Sequence, residues 1–164
     1  IFEGTNEINR MLTVSMILRK ANKGEIDLLG PAKEIAKELL SIPDFNNSNG
    51  SIVQNEITLI KKFKKALLLV AGAAVQKFGK KISEEQEVLM NIADIINTIY
   101  LCESTLLRVQ KAGAKNEYKN YKTQLSMLKV LVYDSCDKIN KHGKDVIHSI
   151  AEGDESIMMK LGLK

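Results

Sequence analysis

Apolar residues recur every three to four positions along most of this chain, and the recurrence predicts helices rather than strands. A first helix is expected from about Asn6 to Ala21, with Ile8, Met11, Leu12 and Leu18 on one face and Ser15 interrupting that stripe. Thr5 is placed to cap its N-terminus. Gly30-Pro31 opens a shorter helix carrying Ile35, Leu39 and Leu40 that stops near Pro43, because proline at the first helical position gives up an N–H that has no partner there. The stretch Asp44 to Gly50, reading DFNNSNG, is the clearest loop.

Three long helices follow. Ser51 and Gln54 form an S-x-x-Q capping box that starts a helix to about Phe78, with Gly79 as its stop. Ser83 and Gln86 repeat the device before a helix through Ile92, Ile96, Tyr100 and Leu107 to Gly113. Asn116 or Glu117 begins the last, through Tyr121, Leu125, Leu128, Val132 and Ile139, with a bend expected at Gly143 and an end at Gly153. A short segment from Glu155 to Leu161 trails to the C-terminus. The fold class is therefore all-α: an up-down bundle of three long helices preceded by a shorter helical hairpin.

At about 100° per residue, Lys61, Lys62, Lys64 and Lys65 fall on one side of the first long helix and Ile60, Phe63 and Leu67 on the other. One turn later Leu68 and Leu69 project to the lysine side, and Ala71, Gly72, Ala73 and Ala74 offer a surface small enough for close approach by another helix. That half of the helix is expected to be buried on most sides.

Composition agrees with one helical domain: 164 residues, 45% hydrophobic and 5% aromatic, with two prolines and no Trp. The net charge of +4 commits to no partner. Cys102 and Cys136 lack metal or redox spacing and read as reduced thiols of a cytoplasmic protein. No signal peptide opens the chain, and the longest apolar run, Ala66 to Val75, is too short to span a bilayer. His142 and His148, six apart, fall on different helical faces, so a histidine metal site is not expected. No Walker loop, GxGxxG, GxSxG or HExxH occurs. The basic stretches lack the interleaved arginines and aromatics of a nucleic-acid reader, and no nucleic-acid partner is expected.

The first ten residues, IFEGTNEINR, differ from the rest in chemistry. Glu3 is a carboxylate just before a glycine and a helix N-terminus, where free N–H groups favour an anion such as a phosphate. This stretch resembles the glutamate motif of the acyl-CoA dehydrogenases, I-Y/F-E-G-T-N-E-I-Q-R, at nine of ten positions, with Asn9 in place of the Gln. The remainder is similar, more loosely, to the extra helical C-terminal region of the very-long-chain branch and its bacterial relatives, and A-E-G-D at 151–154 is in keeping with that tail.

The resemblance implies that Glu3 is the base removing the α-proton of a fatty acyl-CoA thioester while a hydride leaves the β-carbon for the flavin of FAD. Its backbone N–H would bind the thioester carbonyl, and desolvation beside an acyl chain makes a carboxylate a stronger base. Gly4 would let the backbone pass close to substrate, and Thr5, Asn6 and Glu7 match positions that contact FAD in relatives, with Thr5 near the pyrophosphate. Arg10 is assigned to a structural salt bridge. On this basis residues 1–22 are the last helix of the catalytic domain, 23–50 a linker with a short helix, and 51–164 the C-terminal bundle. The chain, which begins with Ile, is expected to be a piece of a longer enzyme, its tail structural and dimer-stabilising, and inactive alone. The resemblance further implies a homodimeric parent reoxidised by an electron-transfer flavoprotein. Two other readings stand beside it: a stand-alone interaction module docking through Leu68, Leu69 and the Ala/Gly surface, and peripheral attachment to anionic lipid through the lysine face. If the first helix lacks its partner in the longer enzyme, Ile8, Met11 and Leu12 are expected to be exposed.

Overall fold

The computed structural model describes residues 3–38, 52–114 and 118–163. These residues form six α-helices: α1 (Asn6–Asn22), α2 (Leu29–Glu38), α3 (Gln54–Phe78), α4 (Gln86–Ala114), α5 (Tyr118–Ile150) and α6 (Gly153–Gly162). A 3-10 turn, Gly79–Glu84, joins α3 to α4. The architecture is the all-α bundle that the apolar spacing predicts.

The seam of the bundle lies between α4 and α5. Along α4 a buried stripe runs through Val88, Ile92, Ile95, Ile99, Cys102, Leu106 and Val109 in alternating steps of four and three, with Leu89, Ala93 and Ala112 buried beside it. That 3.5-residue average keeps one stripe facing a neighbouring helix over the full length. On α5, Leu128, Val132, Ser135 and Ile139 continue the same alternation. Contacts between Asn91 and His142, between Cys102 and Ser135, and between Gly113 and Tyr121 run in opposite sequence order, so the two helices are antiparallel. The buried polar pair on this seam is satisfied: the Cys102 thiol donates to Ser135 Oγ at 3.1 Å, and Ser135 donates to the Leu131 carbonyl at 2.7 Å. Tyr100 and Leu107, on the expected path of the second long helix, face outward.

On α3 the core face is Ile60, Phe63, Ala66, Leu69, Val70 and Ala74, while Lys61, Lys62, Lys64 and Lys65 are exposed, as their angles require. The small-residue surface is covered from within the chain. A Cβ added at Gly72 would stand 2.8 Å from the Ala32 methyl, so α2 lies against α3 where only glycine fits. Helix α2 thus occupies the docking patch of the interaction-module reading at Gly72, while Leu68, Ala71 and Ala73 stay half-buried. At the far end α6 folds back on α5, with Leu163 set against Gly143. Gly143 stands inside an uninterrupted α5 and gives room for Leu163 rather than ending the helix.

Of the two expected capping boxes, the first falls partly outside the described residues and the second is replaced. Helix α3 begins at Gln54 behind Val53, with no side-chain cap, and Ser51 lies outside the described residues. Ser83 sits in the 3-10 turn with buried Ile82 beside it, and α4 starts two residues later than the box requires. Gly79 does end α3, at φ 52 with its N–H bonded to the Val75 carbonyl. Leu39 to Gly50, Asn116 and Glu117 lie outside the described residues, so the expected stop near Pro43, the loop and the start signal of the last helix do too.

The two short helices dock separately, α2 on α3 and α1 on α4. Helix α1 has two apolar faces. Val14 is 3% exposed and packs with Leu18 into the core, while Ile8, Leu12 and Met16 are 52%, 51% and 53% exposed. Leu18 turns to the bundle, and Ile8 and Leu12 turn to solvent, as expected of a first helix without its partner.

Candidate functional site

Just before α1 the chain makes a sharp bend. Glu3 has φ 64, the one positive value at a non-glycine among the described residues, and Gly4 follows at φ 96. A Cβ at Gly4 would find its nearest neighbours at an ordinary 3.5 Å, so the backbone angle, not crowding, calls for glycine. Glu3, with a Cβ, occupies a conformation that costs L-residues about 1–2 kcal/mol, and such positions cluster where function fixes the backbone.

Thr5 then turns the chain into the helix. It is extended at ψ 165, and its hydroxyl accepts the Ile8 N–H at 3.4 Å, while its carbonyl accepts that of Asn9 at 3.0 Å. Its side chain is the N-cap that the sequence predicts. Glu7 is held below the ordinary carboxylate range, first by its own backbone N–H, then by the Thr5 hydroxyl, and then by the nearby Arg10 guanidinium. Glu3, Gly4, Asn6 and Glu7 are exposed and Thr5 is half-buried. The five candidate residues are therefore contiguous and open to solvent on the side of the bend.

One turn further on, Arg10 forms an ion pair through Nη2 with Asp94 on α4. This is the structural salt bridge expected of Arg10. Asp94 also faces His142 of α5, whose Nε2 is 3.8 Å away. The other ring nitrogen, Nδ1, lies 2.7 Å from Asn91 Oδ1, and Asn91 gives its amide N–H to the Glu87 carbonyl at 2.9 Å. With the amide so oriented, Oδ1 is the acceptor and Nδ1 carries the proton. Beside this cluster a cleft of about 460 Å³ is lined by Arg10, Glu87, Met90, Asn91, Asp145, His148 and Ser149.

The grouping of Arg10, Asp94, Asn91 and His142 could not be read from the sequence. Asp94 lies 84 residues from Arg10, on the flank of α4 beside its buried stripe, with nothing local to mark it. Among the described residues no group of three His, Cys, Asp or Glu side chains is arranged to hold a metal ion, and no helix is long and apolar enough to cross a membrane.

Comparison with known proteins bears on the whole chain. A probable acyl-CoA dehydrogenase of Bacillus subtilis (strain 168) is 37% identical over all 164 residues. The crystal structure of an acyl-CoA dehydrogenase complexed with FAD from Bacillus anthracis superposes with a TM-score of 0.90 at 37% identity, covering 99% of this chain. The chain spans 27% of the length of each of these two proteins. Residues 62–164 match the family described as acyl-CoA dehydrogenase, C-terminal domain, and with that match extending over most of its length the chain belongs to the acyl-CoA dehydrogenase family.

Proposed function

We propose that this chain is the C-terminal part of a flavin-dependent acyl-CoA dehydrogenase and that Glu3 is its catalytic base. The observation that carries the reading is the position of Glu3 within IFEGTNEINR: on a positive-φ bend, followed by Gly4, at the mouth of a 17-residue helix. The bend places Glu3 outside the helix, immediately before its N-terminus. In the reaction the Glu3 carboxylate takes the α-hydrogen of the thioester as a proton, the β-hydrogen departs with its electron pair, and the carbon–carbon double bond forms. A backbone N–H at the thioester carbonyl stabilises the negative charge that develops on its oxygen.

The residues of the bend fit FAD by the chemistry of their donors. The Asn6 N–H in the first turn is a donor suited to a pyrophosphate, the Glu7 N–H and the Thr5 hydroxyl would join it on release from the Glu7 carboxylate that they now face, and that carboxylate would then accept from a ribose or ribityl hydroxyl. FAD, when bound, supplies the acceptor for the departing hydride. The relative of known structure is itself a complex with FAD.

Residues 1–22 then close the catalytic body, 23–50 link it to the tail, and 51–164 form a structural tail that stabilises a homodimer. An electron-transfer flavoprotein takes the electrons onward. The chain by itself is inactive, because the surroundings that desolvate Glu3 belong to the rest of the parent. In the full-length parent, Glu3→Gln is expected to lower the rate of flavin bleaching by acyl-CoA by about 100- to 10,000-fold, with flavin content retained. A variant that bleaches at the parent's rate would exclude Glu3 as the base.

The four exposed lysines of α3 keep a lipid-surface contact as a second reading of the tail. It predicts binding of the chain to anionic vesicles that weakens as salt rises, and no binding at low salt removes it.

A further inference from the structure

We propose that Asp94, acting through Arg10, is a positioning residue for Glu3, so that the tail bundle sets the register of α1, the helix that the Glu3 bend leads into; this rests on the assignment of Glu3 as base. Helix α1, which lies on α4, is held by the Arg10–Asp94 ion pair and by the core packing of Val14 and Leu18. The Val14 contact is apolar and tolerates rotation about the helix axis. The ion pair is directional and does not. With side chains at about 5 Å from the axis, a roll of about 12° moves them by about 1 Å, a displacement that costs up to about 100-fold in rate.

The carboxylate that does the holding is itself held. Asp94 stands between Arg10 of α1 and His142 of α5, and the His142 ring is fixed by Asn91 and, through it, by the Glu87 carbonyl. Three helices thus meet at one side chain, which lies within the 62–164 C-terminal region, whereas Arg10 lies within the glutamate motif. The Arg10 Nε is buried without an acceptor, and Glu7, on the same helix, is the other carboxylate that the guanidinium influences. Without Asp94 the guanidinium turns to Glu7, and the polar link between α1 and the bundle is gone.

The test uses the full-length parent loaded with FAD and mixed with acyl-CoA in single turnover. Asp94→Asn is expected to slow flavin reduction by about 10-fold or more while KM and flavin content stay within about twofold. Asp94→Glu, which keeps the charge, is expected to restore most of the rate. Lys141→Ala serves as the control, since it removes an exposed ion pair, to Asp145, within α5 that does not involve α1. Its rate should match the parent's. If Asp94→Asn reduces flavin as fast as the parent, or as slowly as Asp94→Glu, or loses flavin and rate together, the positioning role is wrong. The assignment of Glu3 still stands in those cases if Glu3→Gln is inactive. If Glu3→Gln remains active, that assignment falls and the positioning role falls with it.

Discussion

Gly4 is held by its backbone angle, which makes its replacement predictable. Gly4→Ala introduces a Cβ at φ 96 and is expected to cost about 1–2 kcal/mol, seen as a lower melting temperature of the parent with reduced activity. Thr5→Ala removes the N-cap acceptor and should cost about 1 kcal/mol by the same measurement. The lowered Glu7 carboxyl favours the folded state at pH above the ordinary carboxylate range, and that contribution is lost on acidification through its own lower value. For Cys102 and Cys136 the sign is opposite. Burial pushes both thiols up, so their contribution is present below the ordinary thiol range and is lost as pH rises through the raised values. Cys102, fully buried, should resist alkylation by iodoacetamide at neutral pH until the chain is unfolded, as mass spectrometry would show; rapid native labelling would contradict its place on the seam. At this scale the local features were legible. The Thr5 cap depends on residues three apart and shows in the sequence, whereas the ion pair expected of Arg10 had no visible partner, because Asp94 is brought there by the packing of α1 on α4.

Element by element, the stripes that face one neighbour are the ones the spacing reveals. Lysines and apolar residues on α3 separate cleanly by angle, and Leu128, Val132 and Ile139 of α5 are inside as read. Leu128→Ala should destabilise the bundle by about 2–5 kcal/mol in denaturant unfolding, whereas Tyr133→Ala, on the outer face of the same helix, should stay within about 0.5 kcal/mol. Reading failed where an element has two faces or a tertiary constraint. Helix α1 presents apolar residues to two sides, so one stripe could not be assigned from period alone. Ser83 has good capping chemistry, but burying Ile82 required a 3-10 turn at that place, and packing overrode the local signal. Gly72 was legible as a site of close approach, though not which helix would fill it. Gly72→Val should force α2 away from α3 and cost about 1–3 kcal/mol, again measured by unfolding.

For the molecule as a whole, the exposed stripe of Ile8, Leu12 and Met16 is unlike the rest of α1, which is anchored to the bundle. In the proposed parent this stripe faces the part of the protein outside this chain, which spans 27% of its relatives' length. Expressed alone, residues 1–164 should therefore bind FAD poorly, fail to oxidise acyl-CoA and self-associate with rising concentration in sedimentation experiments. Leu12→Lys should return the isolated chain toward monomer; no change in its association would place the sticky surface elsewhere.

The 84 residues between Arg10 and Asp94 also set an order of events during synthesis. At roughly 5–20 residues per second, Asp94 is added about 4–17 s after Arg10. Throughout that interval Val14 has no cover from α4, and the segment with the glutamate is complete in sequence but unsecured. A stop codon between residues 23 and 93 would yield a polypeptide that retains the glutamate and lacks its anchor, so a truncation that leaves the motif intact would still disable it.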